Sequence, residues 1–512
     1  MRFWENPEFV RHARAELRPA RALTAAVLAL VICGLVGLSS WGSTERNNPQ
    51  EFFKVFYLWI MGMQFVVLTF WCASACGHAI SREREMKTYD FLKTTRLTAT
   101  ELMVGQILGV PILAYFTVGC TVPVSVLLGI LAAYPLSTIF WTSVLLVALA
   151  LFVSVMSLWA SMQLEGTSAR SIGLLIVVPI AFGFGFAEST FPGFGAISIF
   201  PALLQLYKSN ADMVRTVPTF YGRPVSFVFF TLILYATLGG WFALMLTRNL
   251  KKDLDQIRLL SRWQAIGFAV FLNILFYAFL DPARIVPGGS YLYTGDARYL
   301  RVGPVSTLAV SVNALILFVI GIAMLSPHEK LKVWWRKHAA GESGYLSETG
   351  PPWPWLIPAA VIAYALLVGE ALGLQGSISV DQWNLRGAAI ELLVCLVFVT
   401  GDILFLQWIS LMQLKRPVAT GIFYLVLYYT AAIILASVLS IVSPEVSRFL
   451  LGLLTPFSVF AIEGSPSSAI QAGAWPGIYA GLVAQVGVIL LLLRIVSVRL
   501  SRPAVVPVVS EG

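Results

Sequence analysis

Charge is scarce in this chain. Only 12% of its 512 residues are Asp, Glu, Lys or Arg, and 58% are hydrophobic. Soluble domains usually carry about 25% charged residues, so a body facing water on all sides is excluded. Histidine is rarer still: His12, His78, His328 and His338 are too scattered to propose a metal cluster. The five cysteines (Cys33, Cys72, Cys76, Cys120, Cys395) all fall inside apolar runs. Cys72 and Cys76 stand one helical turn apart; they read as small apolar packing residues, with a metal or redox pair as the alternative. The dipeptide Gly-Lys occurs nowhere, nor does any LSGGQ-like run. The chain therefore has no Walker loop to cradle a nucleotide phosphate. No A-x-A-like cleavage site follows the first apolar run, which five arginines and three glutamates precede, so it reads as a retained span.

What is present in quantity is apolar sequence, in runs of the length that crosses a bilayer core of about 30 Å. Twelve spans are expected, near 20–40, 55–77, 104–132, 138–162, 169–187, 225–247, 264–280, 305–325, 353–374, 388–410, 419–442 and 475–496. With a cytoplasmic N-terminus, 25 of the 35 Lys and Arg residues fall in inner segments and ten in outer ones. That bias follows the positive-inside rule and predicts cytoplasmic N- and C-termini. It also accounts for most of the net charge of +9 without nucleic acid. The fold class is thus an all-α polytopic membrane protein.

The spans repeat a pattern. Each half runs as two spans, a polar inner loop, two spans, a very short inner loop, one span, an interrupted outer segment and a last span. The short loops share letters, MQLEGTSARSIGLLIV at 162–177 against MQLKRPVATGIFYLVL at 412–427. The outer segments 193–207 and 447–462 are both apolar and too short to span, so both read as re-entrant or interfacial. Two parallel six-helix repeats are expected, 1–250 and 251–512, about an axis along the membrane normal.

The densest charge lies in the first inner loop, REREMKTYDFLKTTRLTATELMVGQIL. Ser81 to Arg96 predicts a short cytoplasmic helix with Met86, Tyr89 and Leu92 as an apolar stripe and Glu83, Arg84 and Lys87 elsewhere. Thr98 and Glu101 form a capping box, so the third span is expected to begin at about Ala99. Gly105 and Gly109 have the spacing that lets another span approach closely.

This stretch resembles the cytoplasmic coupling region of ABC-2 type permeases, the membrane subunits of ABC exporters. Glu83, Arg84, Glu85, Thr88 and Leu92 match one part of that pattern, and Glu101, Leu102 and Gly105 the other, with Gln106 where the family has Lys. Over 1–250 the likeness extends to the six-span unit; over 251–512 it is topological, since SPHEKLKVWWRKHAAGESGYLSE lacks the ERE pattern. The resemblance implies an export permease in the plasma (inner) membrane that is not itself an enzyme. It implies ABC ATPase partners that bind the ATP and magnesium, and no cofactor in this chain. Glu83, Arg84, Glu85, Met86, Tyr89 and Leu92 would then couple to the ATPase. The exported substrate is not legible.

Two other classes compete. An ion-coupled secondary transporter would use intramembrane acids, for which Asp402 is the deepest candidate; Glu370 and Glu391 lie nearer their span ends. A membrane glycosyl or acyl transferase would want clustered acids at one face. The D-x-D of Asp253 and Asp255 sits instead among alternating charges, the mark of a solvated helix.

Overall fold

In lipid, long apolar segments satisfy their backbone groups by coiling into helices. The computed structural model is built almost wholly of helices. It describes residues 5–43, 49–163, 198–207, 219–220, 223–252, 260–279, 305–326, 328–373, 385–412, 417–456 and 468–501. They form two compact units, Met1–Ile257 with Ala278–Leu280, and Arg258–Tyr277 with Asp281–Gly512.

The first unit opens with α1 (Pro7–Glu16), α2 (Pro19–Ser43) and α3 (Pro49–Val66). A π-helical turn over Val67–Trp71 leads into α4 (Cys72–Glu85), then α5 (Tyr89–Thr94), α6 (Ala99–Gly109), α7 (Ile112–Leu131) and α8 (Leu136–Gln163). The short α9 (Phe200–Tyr207) and the long α10 (Phe227–Asn249) complete it. Between them Thr219–Phe220 pairs with Arg223–Pro224, the one strand pairing among the described residues. The second unit holds α11 (Arg262–Phe279) up to Tyr277, α12 (Val305–Ala323), α13 (His328–Ala339), a 3-10 turn at Trp353–Trp355, α14 (Leu356–Gly373) and α15 (Leu385–Ser410). It ends with α16 (Pro417–Val442), α17 (Pro444–Leu454) and α18 (Ser468–Ser501).

Nine helical stretches among the described residues are long and apolar enough to cross a membrane, in α2, α3–α4, α7, α8, α10, α14, α15, α16 and α18. The protein is a multi-pass membrane protein. These nine coincide with nine of the twelve expected spans. Two others, near 264–280 and 305–325, are the helices α11 and α12, which fall outside the nine. The remaining one, 169–187, lies outside the described residues, as do Asp253 and Asp255.

The second span shows how sequence sets helix shape. Its buried positions repeat every four residues: Tyr57, Met61, Phe65, Thr69, Ala73, Gly77 and Ser81. An α-helix turns once in about 3.6 residues, so a four-residue repeat drifts steadily round its surface. The π turn inserts extra backbone halfway and brings the stripe back to the interior. Cys72 and Cys76 lie one position beside that stripe, buried and with free thiols, as packing residues.

Two expectations about the charged loop are corrected. The capping box is present, Glu101 N donating to Thr98 Oγ1 at 3.2 Å and Thr98 N to Glu101 Oε2 at 2.8 Å. The helix it starts is not the span, however. Pro111 has no N–H to continue the ladder, so α6 stops at Gly109 and the span begins afresh at Ile112. Nor do residues 81–96 make one helix. The second span runs on to Glu85, and Lys87 then takes the left-handed conformation with φ +58°. Lys87 N bonds to Arg84 O at 3.0 Å and Thr88 N to Glu83 O at 2.9 Å, a Schellman closure. A side chain pays for that backbone with strain that glycine lacks. Lys87→Gly should therefore stabilise the unit by about 0.5–1 kcal/mol after its own unfolded-state entropy is counted, read as a higher midpoint in equilibrium unfolding.

In the second unit, α17 covers the first part of the segment 447–462, whose residues 457–462 lie outside the described residues. Its eleven residues span about 16 Å, short of a bilayer core. It presses backbone to backbone on α18. A Cβ on Gly452 would lie 2.8 Å from the Gly477 carbonyl carbon, and one on Gly477 would lie 2.8 Å from Phe449 Cα. Gly481 meets the carbonyl of Gly452 in the same way. Small residues permit such contact where no hydrophobic drive exists between helices.

Candidate functional site at a charged helix junction

The charged loop is held from several sides. Asn6 caps α1 by accepting from Glu8 N at 3.0 Å, and its amide donates to the Glu101 carbonyl at 2.6 Å. One side chain thus starts α1 and pins it to α6. Gly105 and Gly109 make room: a Cβ on Gly105 would lie 2.7 Å from Glu8 Cβ, and one on Gly109 would lie 2.9 Å from His12 Cβ. The glycine pair receives α1, not another span.

Between these helices lies a three-centre ion cluster. Arg11 Nη2 donates to Glu8 Oε1 at 2.6 Å and to Glu83 Oε1 at 2.7 Å. His12 Nε2 lies 3.0 Å from Glu8 Oε1. Gln106 Nε2 reaches Glu83 Oε2 at 3.4 Å. Both glutamates are buried while Arg11 is half exposed. Burial alone raises the Glu8 carboxyl, but the His12 hydrogen bond and the Arg11 charge outweigh it and hold the group below its ordinary value. For Arg11, burial opposes the charge and pairing with Glu83 and Glu8 more than restores it. The ligand atoms of Glu8, His12 and Glu83 lie within 4.8 Å of one another, a spacing that suits a metal ion. The Arg11 guanidinium already supplies the cation there.

The rest of the loop is clasped to the ends of α8 and α10. Arg84 Nη1 donates to Met162 O at 2.9 Å and its guanidinium lies 4.8 Å from the Tyr89 ring centroid. Tyr89 OH donates to the Leu250 carbonyl, and Lys251 Nζ to Thr95 O at 3.0 Å. Ser161 Oγ accepts the amides of Ile80 and Ser81, each at 3.2 Å. Tyr89 and Leu92 sit in one core cluster with Ile80, Leu102, Leu158 and Leu246.

This arrangement divides the residues expected to face a partner. Glu83, Tyr89 and Leu92 are buried within the unit, Arg84 is half-buried, and Glu85 and Met86 are exposed. The apolar stripe Met86–Tyr89–Leu92 does not form, because the left-handed step at Lys87 breaks the period it assumed. What faces outward instead is a knuckle of Glu85, Met86, Lys87, Thr88, Asp90 and Phe91. Met86 is 54% and Phe91 72% exposed. Phe91 went unnoticed in the sequence because a continuous helix would have put it off the stripe.

The second unit holds the other named residue. Asp402 accepts from Tyr429 OH at 2.8 Å, which joins α15 to α16. Glu391 lies on α15 as well, buried, and Glu370 is buried on α14. No protein-family model, curated protein or solved structure matches this chain.

Proposed function

We propose that this chain is the membrane permease of an ATP-driven export system of the ABC-2 kind, working with a separate ATPase that binds ATP and magnesium. The observation that carries this reading is the knuckle at residues 85–91. It presents apolar Met86 and Phe91 among charges of both signs, and it is tied to the ends of α4, α8 and α10. A push on such a knuckle moves three helix ends at once, which is the task of a coupling element. Glu83, Arg84, Tyr89 and Leu92 then act behind the contact surface, holding it, while Glu85 and Met86 lie on it.

The twelve-span, two-repeat plan, the plasma (inner) membrane location and the cytoplasmic termini belong to the same proposal. Met162 contacts the charged loop, whereas Tyr207 bonds Thr142 and Tyr57 near the opposite end of α8. The absent Gly-Lys motif agrees with energy supplied in trans. Truncating Met86 and Phe91 together to alanine should weaken ATPase association by about 30-fold, the effect of losing an interface anchor worth about 2 kcal/mol, with insertion unchanged. Unimpaired association and transport in that variant would overturn the coupling assignment.

An ion-coupled transporter is the second reading, favoured by the Asp402–Tyr429 contact between α15 and α16. The two separate cleanly. Asp402→Asn should abolish transport driven by an ion gradient and leave ATPase-driven export running.

A further inference from the structure

The second unit contains a cavity of about 380 Å³, at the small end of the range of about 300–1,000 Å³ typical of ligand sites. Its apolar walls include Trp334, Trp335, Trp353 and Tyr345, with Leu404 from α15 and Leu493 from α18. Its polar side has Gln407, Arg494 and Ser497. Gln407 is spoken for, accepting from Ser326 N at 3.1 Å and donating to Ser326 O at 2.9 Å. Arg494 is exposed, and no ion pair to it occurs among the described residues.

Position supplies the rest. Leu404 and Gln407 lie near the C-terminal end of the span in α15, and Leu493 to Leu500 near that of α18. The cavity is therefore at the level where helices leave the hydrocarbon, and Trp and Tyr are the residues that favour that level. Its aromatic wall is built rather than accidental. Trp334 stacks on His338 at 5.0 Å and 13°, and Trp334 Nε1 donates to Gly344 O at 3.1 Å. The flanking α13 carries Lys330, Lys332, Arg336 and Lys337 against Glu329 alone. An apolar slot beside an open guanidinium, in a positive field at the membrane surface, fits one class of molecule.

We propose that this cavity binds an anionic phospholipid, its acyl chain against the tryptophans and its phosphate headgroup on Arg494. Basic pockets between spans recognise such headgroups by charge. The site is independent of the transport reading, since none of its residues belongs to the knuckle of the first unit.

The test is native mass spectrometry of the full chain in detergent micelles given equal amounts of phosphatidylglycerol and phosphatidylcholine. One tightly held phosphatidylglycerol per chain is expected, preferred by about fivefold. Arg494→Gln should bring the two lipids to parity without loss of total retention. Ser497→Trp, which fills the slot from its wall, should lose both. Inorganic phosphate at millimolar concentration should not displace the lipid; displacement would mean a site for free phosphate and overturn the proposal. Equal retention by the parent chain would overturn it too, as would a preference that survives Arg494→Gln.

Discussion

Replacing Arg11 by methionine should destabilise the first unit by about 3 kcal/mol. Arg11 alone bridges Glu8 and Glu83, and both carboxylates are buried. Removing one partner of a buried ionic network commonly costs about 3–5 kcal/mol, because the charges left behind stay unpaired in low dielectric. Here the figure falls at the lower end, since half of the guanidinium already faces solvent. The pH dependence identifies the cause. In the parent chain Glu8 is held below its ordinary value, so its contribution is present above the unfolded value and lost as pH falls through the lowered one. In the methionine variant the two carboxylates repel until they protonate. Burial holds Glu83 above its ordinary value even in the parent, and without Arg11 both carboxyls rise. The gap between variant and parent should therefore narrow as pH falls towards about 4.3, the unperturbed glutamate value, and narrow further below it as the parent loses the Glu8 contribution. Equilibrium unfolding in mixed micelles at neutral and acid pH reads this directly. An equal loss at both would show that Arg11 acts through packing.

Gly477→Leu should cost a similar amount in the second unit, about 3 kcal/mol, the upper part of the usual penalty for overpacking. The neighbour is backbone and cannot turn aside: a Cβ there would lie 2.5 Å from the Phe449 carbonyl oxygen and 2.8 Å from its Cα. The helix α17 must lift away from α18. Cysteines placed on the two helices in a Gly477→Leu background should crosslink far less than in the parent. Gly487→Leu, on the same helix with nothing within 4 Å of its added Cβ, is the control and should change neither stability nor crosslinking.

Much of this protein was legible without its structure, wherever the cause was local. Apolar runs become helices because lipid offers backbone groups no other partner, and the Thr98–Glu101 box is complete within four residues. The packing role of Cys72 and Cys76 also follows from nearby composition. What the residues could not announce were contacts between distant parts of the chain. Glu83 and Arg11 are 72 positions apart, and nothing near either names the other. The glycine pair Gly105 and Gly109 advertised a close approach but not the helix that makes it, since any helix of suitable face fits. The charged loop was misread for a related reason. Periodicity assumes a continuous helix, whereas the left-handed turn at Lys87 is imposed by Tyr89 and Leu92 packing beneath α8 and α10. By itself the sequence determined nine helices long and apolar enough to cross a membrane and where one capped helix begins, because those depend on neighbours along the chain. Only the tertiary structure decided which charges are buried and paired and which residues of 85–91 face outward, because burial is settled by whichever surfaces meet in space.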